Sequence, residues 1–158
     1  MLNNMKTMLT SICFLIVFLV PSSAFSQSVE SRIDELLTQA KEDCASDGGV
    51  LELSGSEVNK FDFDEDGVTD LSILHEIDYN CSSSASLFQG TAGAIVHIMT
   101  DKDYFSGYVR EIQAVTAFNN KQVLLLGLHG SSCDEAGYVS CIKAITLHEG
   151  RIISTKGH

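Results

Sequence analysis

An acidic segment in the first half of the chain has the residue types and spacing of a cation site. Residues 62–70 follow the pattern D-x-D-x-D-G-x-x-D. Calcium takes about six to eight oxygen ligands, and alternate carboxylates in a tightly curled loop turn toward a common point. Gly67 permits the necessary backbone bend, and the carbonyl of Val68 can serve as a ligand whatever its side chain. The predicted calcium ligands are Asp62, Asp64, Asp66, the carbonyl of Val68 and Asp70.

The negative charge of the chain is concentrated around this loop. The chain has 10 Lys+Arg, 21 Asp+Glu and a net charge of −11. The stretch from Glu57 to Asp78 contains eight acidic residues and a single base, Lys60, whereas six acidic residues match six basic ones from residue 79 onward. Crowded carboxylates repel one another, and a divalent cation removes that repulsion. The acidity also excludes nucleic acid and anionic lipid as partners, and it favours calcium or a basic protein.

The loop differs from an EF-hand. An EF-hand requires a bidentate Glu at its twelfth position and a helix on each side, but that position is Ile73 here and residues 71–77 have the pattern of a strand. The loop instead resembles the calcium loops of FG-GAP/VCBS repeats and thrombospondin type-3 repeats. This resemblance implies calcium binding at the matching positions, which are the five ligands named above. Because the chain contains one copy of the loop, the resemblance implies a metal loop and not a propeller.

The N-terminal residues have the features of a secretory signal peptide. Lys6 precedes an apolar run over residues 8–20, and the small residues Ala24 and Ser26 follow. This order predicts a cleaved signal peptide at 1–26, with cleavage after Ala24 as an alternative, and a periplasmic or secreted protein. A membrane anchor is the other interpretation, but the run is shorter than the roughly 20 residues that a spanning helix needs.

Cleavage would leave four cysteines and, with the loss of Lys6, a net charge of −12. An even number of cysteines in an exported chain predicts disulfides, and four cysteines allow three connectivities. Cys133 and Cys141 are separated by a short segment that contains glycine, which suits a stapled loop between strands. That leaves Cys44 to pair with Cys81. Four free thiols or a zinc site are the alternatives, but zinc sites usually have more closely spaced cysteines.

The predicted fold is a single α+β domain over 27–158, with one N-terminal helix packed on a mainly antiparallel β-sheet and stapled by disulfides. The helix is predicted at 28–45 because its apolar residues form one stripe, Ser28 suits the N-cap, and Gly48 follows its end. Alternating segments predict strands at 50–54, 58–62, 69–78, 92–100, 108–118, 122–129, 140–148 and 151–155.

Composition also predicts the connections between strands. Asn119 with Asn120, and Glu149 with Gly150, are expected to form tight hairpin turns, while the serine-rich residues 80–90 are expected to form a loop. The continuous apolar run over 123–126 predicts a central strand covered on both faces.

A longer resemblance covers most of residues 44–154. The acidic loop is followed by residues 81–94, 128–133 and 137–143, and this order resembles a group of small exported bacterial proteins of unknown function. In that group cysteines stand at the positions of Gln89 and Ala94. Both cysteines are absent here, as expected if a dispensable disulfide between these two positions has been lost. The resemblance therefore supports the Cys44–Cys81 and Cys133–Cys141 pairing. It implies no activity.

The sequence assigns no catalytic residue. The primary hypothesis is a non-enzymatic exported binding or envelope module that depends on calcium. The first alternative is a periplasmic inhibitor of a hydrolase such as lysozyme, because residues 106–108 and 155–157 resemble short inhibitory-loop motifs. The second is a small hydrolase that uses the His, hydroxyls and acids of residues 129–135. The isolated strand histidines are expected to be packed or surface residues; they are His75, His97, His129 and His148.

Overall fold

The computed structural model describes residues 28–55, 58–116 and 122–156. The predicted signal peptide and the predicted turn at Asn119 and Asn120 lie outside the described residues. Within the described ranges, no helix is both long and apolar enough to cross a membrane.

The helix α1 spans Val29–Ser46, as predicted to within a residue at each end. It begins after Ser28, whose hydroxyl accepts a hydrogen bond from the backbone N–H of Ser31 at 3.2 Å. It ends where Gly48 adopts a left-handed conformation with φ of 77°. Its buried residues, Ile33, Ala40 and Cys44, belong to the predicted apolar stripe.

The described strands form three antiparallel groups. In the first group, β1 pairs with β4. The first sheet has the strand order β2–β3–β6–β7, and the short strand β5 pairs with the start of β6. The second sheet has the strand order β8–β9–β10–β11. The strands are β1 (Leu51–Leu53), β2 (Val58–Phe61), β3 (Leu71–His75), β4 (Tyr79–Cys81), β5 (Gln89–Gly90), β6 (Gly93–Met99), β7 (Tyr104–Val109), β8 (Glu111–Thr116), β9 (Gln122–His129), β10 (Ser140–His148) and β11 (Arg151–Ser154).

The first sheet lies between the helix and the second sheet. All five residues of β3 are buried. One face of this sheet, with Ile73 and Ile98, packs against Leu124 and Leu126 of β9. The opposite face, with Leu74 and Met99, packs against α1. The α+β class with one helix packed on antiparallel sheets is therefore confirmed.

The strand covered on both faces is not the one that the apolar run predicted. In β9 the residues alternate, so that Leu124 and Leu126 are fully buried while Val123 and Leu125 are half-buried. Strand β9 is central within its sheet, between β8 and β10, but its outer face carries no described layer. The prediction for residues 123–126 was wrong because a run of apolar residues does not record which faces are covered.

Two predicted strands are divided in the structure. The strand expected at 69–78 ends at His75 and continues as a 3₁₀ turn over Glu76–Asp78 before β4. The strand expected at 108–118 is two strands that meet at Arg110, where the chain passes from the first sheet to the second. The guanidinium of Arg110 fixes this crossing by donating to the carbonyl of Thr91 at 2.8 Å. The turn predicted at Glu149 and Gly150 is confirmed, since both residues have positive φ.

Two disulfides hold the fold with the connectivity that the sequence predicted. Cys44–Cys81 joins the last turn of α1 to the end of β4, with 5.6 Å between the Cα atoms. Cys133–Cys141 joins the short helical turn Gly130–Cys133 to β10, with 6.5 Å between the Cα atoms. Disulfides persist in oxidising environments, so the pairings indicate an oxidising compartment.

Candidate functional site

The acidic loop connects β2 to β3 and is anchored at both ends. Phe61 and Leu71 pair across the two strands, and the backbone N–H of Asp70 donates to the carbonyl of Phe61 at 2.9 Å. Inside the loop, the buried ring of Phe63 packs in the core between the sheets. The N–H of Phe63 donates to the Asp70 carboxylate at 2.8 Å, so Phe63 also positions one acid of the loop.

Three carboxylates of the loop converge. One oxygen from each of Asp62, Asp64 and Asp70 lies within 4.8 Å of the others. Asp64 is exposed, and the other two are half-buried. Among the described residues this is the one group of three or more His, Cys, Asp and Glu side chains placed to hold a metal ion.

Backbone N–H groups curl the loop around these acids. The carboxylate of Asp62 accepts from the N–H groups of Asp66 at 3.2 Å and Gly67 at 2.7 Å. Glu65 and Gly67 both have left-handed backbones, with φ of 62° and 88°. Because a carboxylate has about four lone-pair sites, oxygens that accept these bonds can still bind a cation. An all-oxygen set of this kind suits a hard divalent cation.

Of the other two predicted ligands, Asp66 lies outside the group of converging carboxylates, and Val68 would contribute its backbone carbonyl. The carboxylate of Asp66 instead accepts a hydrogen bond from the N–H of Val68 at 2.7 Å. Val68 is 62% exposed. Their roles as ligands therefore stay predictions, whereas the structure brings Asp62, Asp64 and Asp70 together.

A cavity of about 290 Å³ opens beside the carboxylates. Asp64 and Asp70 line this cavity, and so do Gln122, Thr146 and His148 of the second sheet. The loop thus faces a cleft between the two sheets, through which solvent and small ions can reach the carboxylates.

The segment considered for hydrolase chemistry has a structural role in the described residues. The Nδ1 atom of His129 lies 2.7 Å from the hydroxyl of Ser131. The same atom accepts a hydrogen bond from the backbone N–H of Ser131 at 3.3 Å, and this bond caps the turn Gly130–Cys133. Cys133 is bonded to Cys141 and is not available as a thiol nucleophile. A hydrolase function of this segment stays a prediction.

The two inhibitor-like tripeptides lie in different parts of the fold. Residues 106–108 belong to strand β7 and not to a loop, with Tyr108 55% exposed. Thr155 follows β11 in the second sheet, and its hydroxyl accepts from the N–H of Ala144 at 3.0 Å. Residue 157 lies outside the described ranges. Inhibition of a hydrolase stays a prediction.

A chain of polar side chains that the sequence did not reveal crosses the helix-facing side of the first sheet. His97 lies 2.7 Å from the Tyr104 hydroxyl through Nδ1 and 3.1 Å from Glu76 through Nε2. Both bonds are satisfied when Tyr104 donates to Nδ1 and Nε2–H donates to the Glu76 carboxylate. Arg32 lies 4.7 Å above the centre of the Tyr104 ring. His97 and Tyr104 are 7 residues apart on the neighbouring strands β6 and β7. Glu76 is 21 residues from His97 and reaches it from the 3₁₀ turn after β3.

Comparison with protein-family models, with curated proteins and with solved structures gives no match to this chain.

Proposed function

We propose that the protein is an exported, disulfide-bonded calcium-binding module that acts by binding or as a component of the cell envelope. The convergence of Asp62, Asp64 and Asp70 within 4.8 Å is the observation that carries this proposal. Three carboxylates at this separation repel one another, and a divalent cation between them converts the repulsion into attraction.

The ligand chemistry favours calcium over zinc or magnesium. The converging atoms are all carboxylate oxygens, without the His or Cys ligands that zinc sites generally use. Magnesium demands near-ideal octahedral geometry, whereas calcium accepts flexible loops with carbonyls and waters completing the shell. The exposed loop of residues 64–69 leaves room for those further oxygens.

The compartment follows from the disulfides and the N-terminal sequence. An oxidising environment together with the predicted signal peptide at 1–26 supports a periplasmic or secreted location. The resemblance to small exported bacterial proteins supports the same location.

Thermal unfolding with calcium and with EDTA tests the proposal. Binding at tenfold the Kd stabilises the folded state by about 1.4 kcal/mol, so calcium should raise the Tm. The double variant Asp64→Ala with Asp66→Ala should lose this increase. Asp34→Ala with Glu42→Ala removes the same number of exposed acids from α1 and should keep it. An unchanged Tm on addition of calcium would overturn the proposal.

A further inference from the structure

A groove runs between the C-terminal half of α1 and residues 86–93. It consists of two adjoining cavities of about 410 and 340 Å³, which share the lining residues Glu76, Leu87, Phe88 and Ile95. Asp43 and Asp47 of the helix end line the first cavity, and Tyr108 of β7 lines the second. We call this feature the acidic groove.

The walls of the acidic groove are fastened to each other. The Cys44–Cys81 disulfide ties the helix wall to the end of β4, from which the chain continues into the opposite segment. On the same side, the Ser83 hydroxyl donates to the Asp47 carboxylate at 3.2 Å. A groove held open by covalent and hydrogen bonds loses little conformational entropy when a ligand binds.

The groove is lined by acidic side chains and by no basic one, although His97 contacts Glu76 from outside the lining. Its lining includes the carboxylates of Asp43, Asp47 and Glu76, and it includes no Lys, Arg or His. The last turn of α1 also lacks a basic residue. The helix dipole places about half a negative charge at this end, so acids here reinforce the dipole, and a bound cation would relieve both.

Glu76 places one of these charges at the junction of the two cavities. Its side chain is 16% exposed, and it accepts a hydrogen bond from His97, whose side chain is 7% exposed. The contact of His97 with Tyr104 fixes the imidazole and thereby the carboxylate. A fixed carboxylate that is largely shielded from water attracts a cation more strongly than a solvated one does.

The rest of the lining combines neutral polar residues with an apolar part that includes Leu87, Phe88, Ile95 and Tyr108. A bare inorganic ion would not use this apolar part. Leu87 is 38% exposed and Tyr108 is 55% exposed, and Phe88 and Ile95 lie between them and the helix. Lysine and arginine side chains carry an apolar stem below a charged head, and an aromatic ring such as Tyr108 also attracts a cation. The groove therefore matches alternating basic and apolar side chains.

We propose that the acidic groove binds a basic segment of a polypeptide partner, with lysine or arginine heads at the three carboxylates and apolar side chains over Ile95 and Phe88. Two cavities in line suit neighbouring side chains of one extended segment. The net charge of −11 accelerates the encounter with a basic partner. The acidic groove does not involve the residues of loop 62–70, so the proposal is independent of calcium binding.

Fluorescence anisotropy with a labelled hexapeptide of alternating lysine and leucine tests the proposal, in EDTA and in calcium. We expect saturable binding by the oxidised protein in both buffers. Asp43→Asn with Asp47→Asn should weaken it at least tenfold. Leu87→Arg, which places a cation in the groove from an exposed position, should weaken it similarly. Circular dichroism checks that each variant is folded.

The control variant Asp34→Asn with Glu42→Asn removes two exposed acids of α1 that do not line the groove. It should change the affinity by less than threefold, and a hexapeptide of alternating glutamate and leucine should not bind. Equal weakening by both double variants would show diffuse charge attraction and overturn the proposal. Absence of binding to the lysine–leucine peptide would also overturn it.

Discussion

His75 is buried at the end of β3, where strand alternation places it on the same face as Ile73. Burial lowers the pKa of this imidazole below its usual 6.5, because the charged form loses hydration. The Val109 carbonyl and the carboxylates of Asp78 and Glu76 oppose this shift, while His97 reinforces it. His75 is therefore a group whose protonation opposes folding.

This pKa shift predicts a pH dependence of stability. The unfolded chain binds a proton at His75 below pH 6.5, whereas the folded chain does so only at lower pH. The free energy of unfolding should therefore be highest above pH 6.5 and fall as the pH drops toward the lowered pKa of the folded state. Urea unfolding between pH 7.5 and about 5 measures this slope, since most carboxylates titrate below that range.

The variant His75→Gln isolates the contribution of this imidazole, since glutamine is polar but does not titrate. It should flatten the slope. An equal slope in the wild type and in His75→Gln would contradict the assignment.

At the scale of elements, the close approach of β6 and β7 depends on a single glycine. Gly93 begins β6 with φ of 101°, and a Cβ at this position would collide with the carbonyl of Val109 in β7. Gly90 faces Gly93 across the β5–β6 pair, but a Cβ there would meet nothing within 4 Å. The two glycines are neighbours in space with different steric requirements.

Gly93→Ala should therefore lower the free energy of unfolding by about 2 kcal/mol or more, from backbone strain and the displaced β6–β7 ladder. Gly90→Ala is the matched control and should change it by less than about 1 kcal/mol. Chemical denaturation of the two variants measures both values. Similar stabilities would contradict the proposed steric role of Gly93.

The predictable elements are those whose signals are local in sequence. The helix stripe with its Ser28 cap and the turn at Glu149 and Gly150 depend on neighbouring residues, and the structure confirms both. The separate strand β7 was missed because Arg110 marks a crossing between sheets, which depends on contacts distant in sequence.

The same distinction applies to the candidate sites. Alternating acids within one loop predict their own convergence, since the ligands share a short stretch of backbone. The acidic groove combines α1, residues 86–93 and β7, whose proximity follows from the Cys44–Cys81 bond and the strand register. One signal for it was present in the sequence, namely the acids at the C-terminal end of α1, where bases are favoured.

For the whole molecule, the two disulfides close loops of different length. Cys44 and Cys81 are 37 residues apart, whereas Cys133 and Cys141 are 8 residues apart. Loop-closure entropy then gives a stabilisation of about 4 kcal/mol for the first bond and about 2.5 kcal/mol for the second. The first bond also connects the helix to the strands, so its removal affects the relation between layers.

Replacing Cys44 and Cys81 by alanine should thus destabilise the protein by about 1.5 kcal/mol more than replacing Cys133 and Cys141. Denaturation of the two double variants, with the remaining disulfide verified by mass spectrometry, measures the difference. A larger loss from the Cys133–Cys141 pair would contradict this order.

Isothermal titration calorimetry of the oxidised protein measures the binding of calcium to loop 62–70. We expect one calcium ion per chain, with binding lost in Asp64→Asn. Binding should be retained in Glu65→Gln, which removes a neighbouring loop charge outside the converging group. A wild-type titration without binding heat at several temperatures, or equal loss in both variants, would contradict the claim.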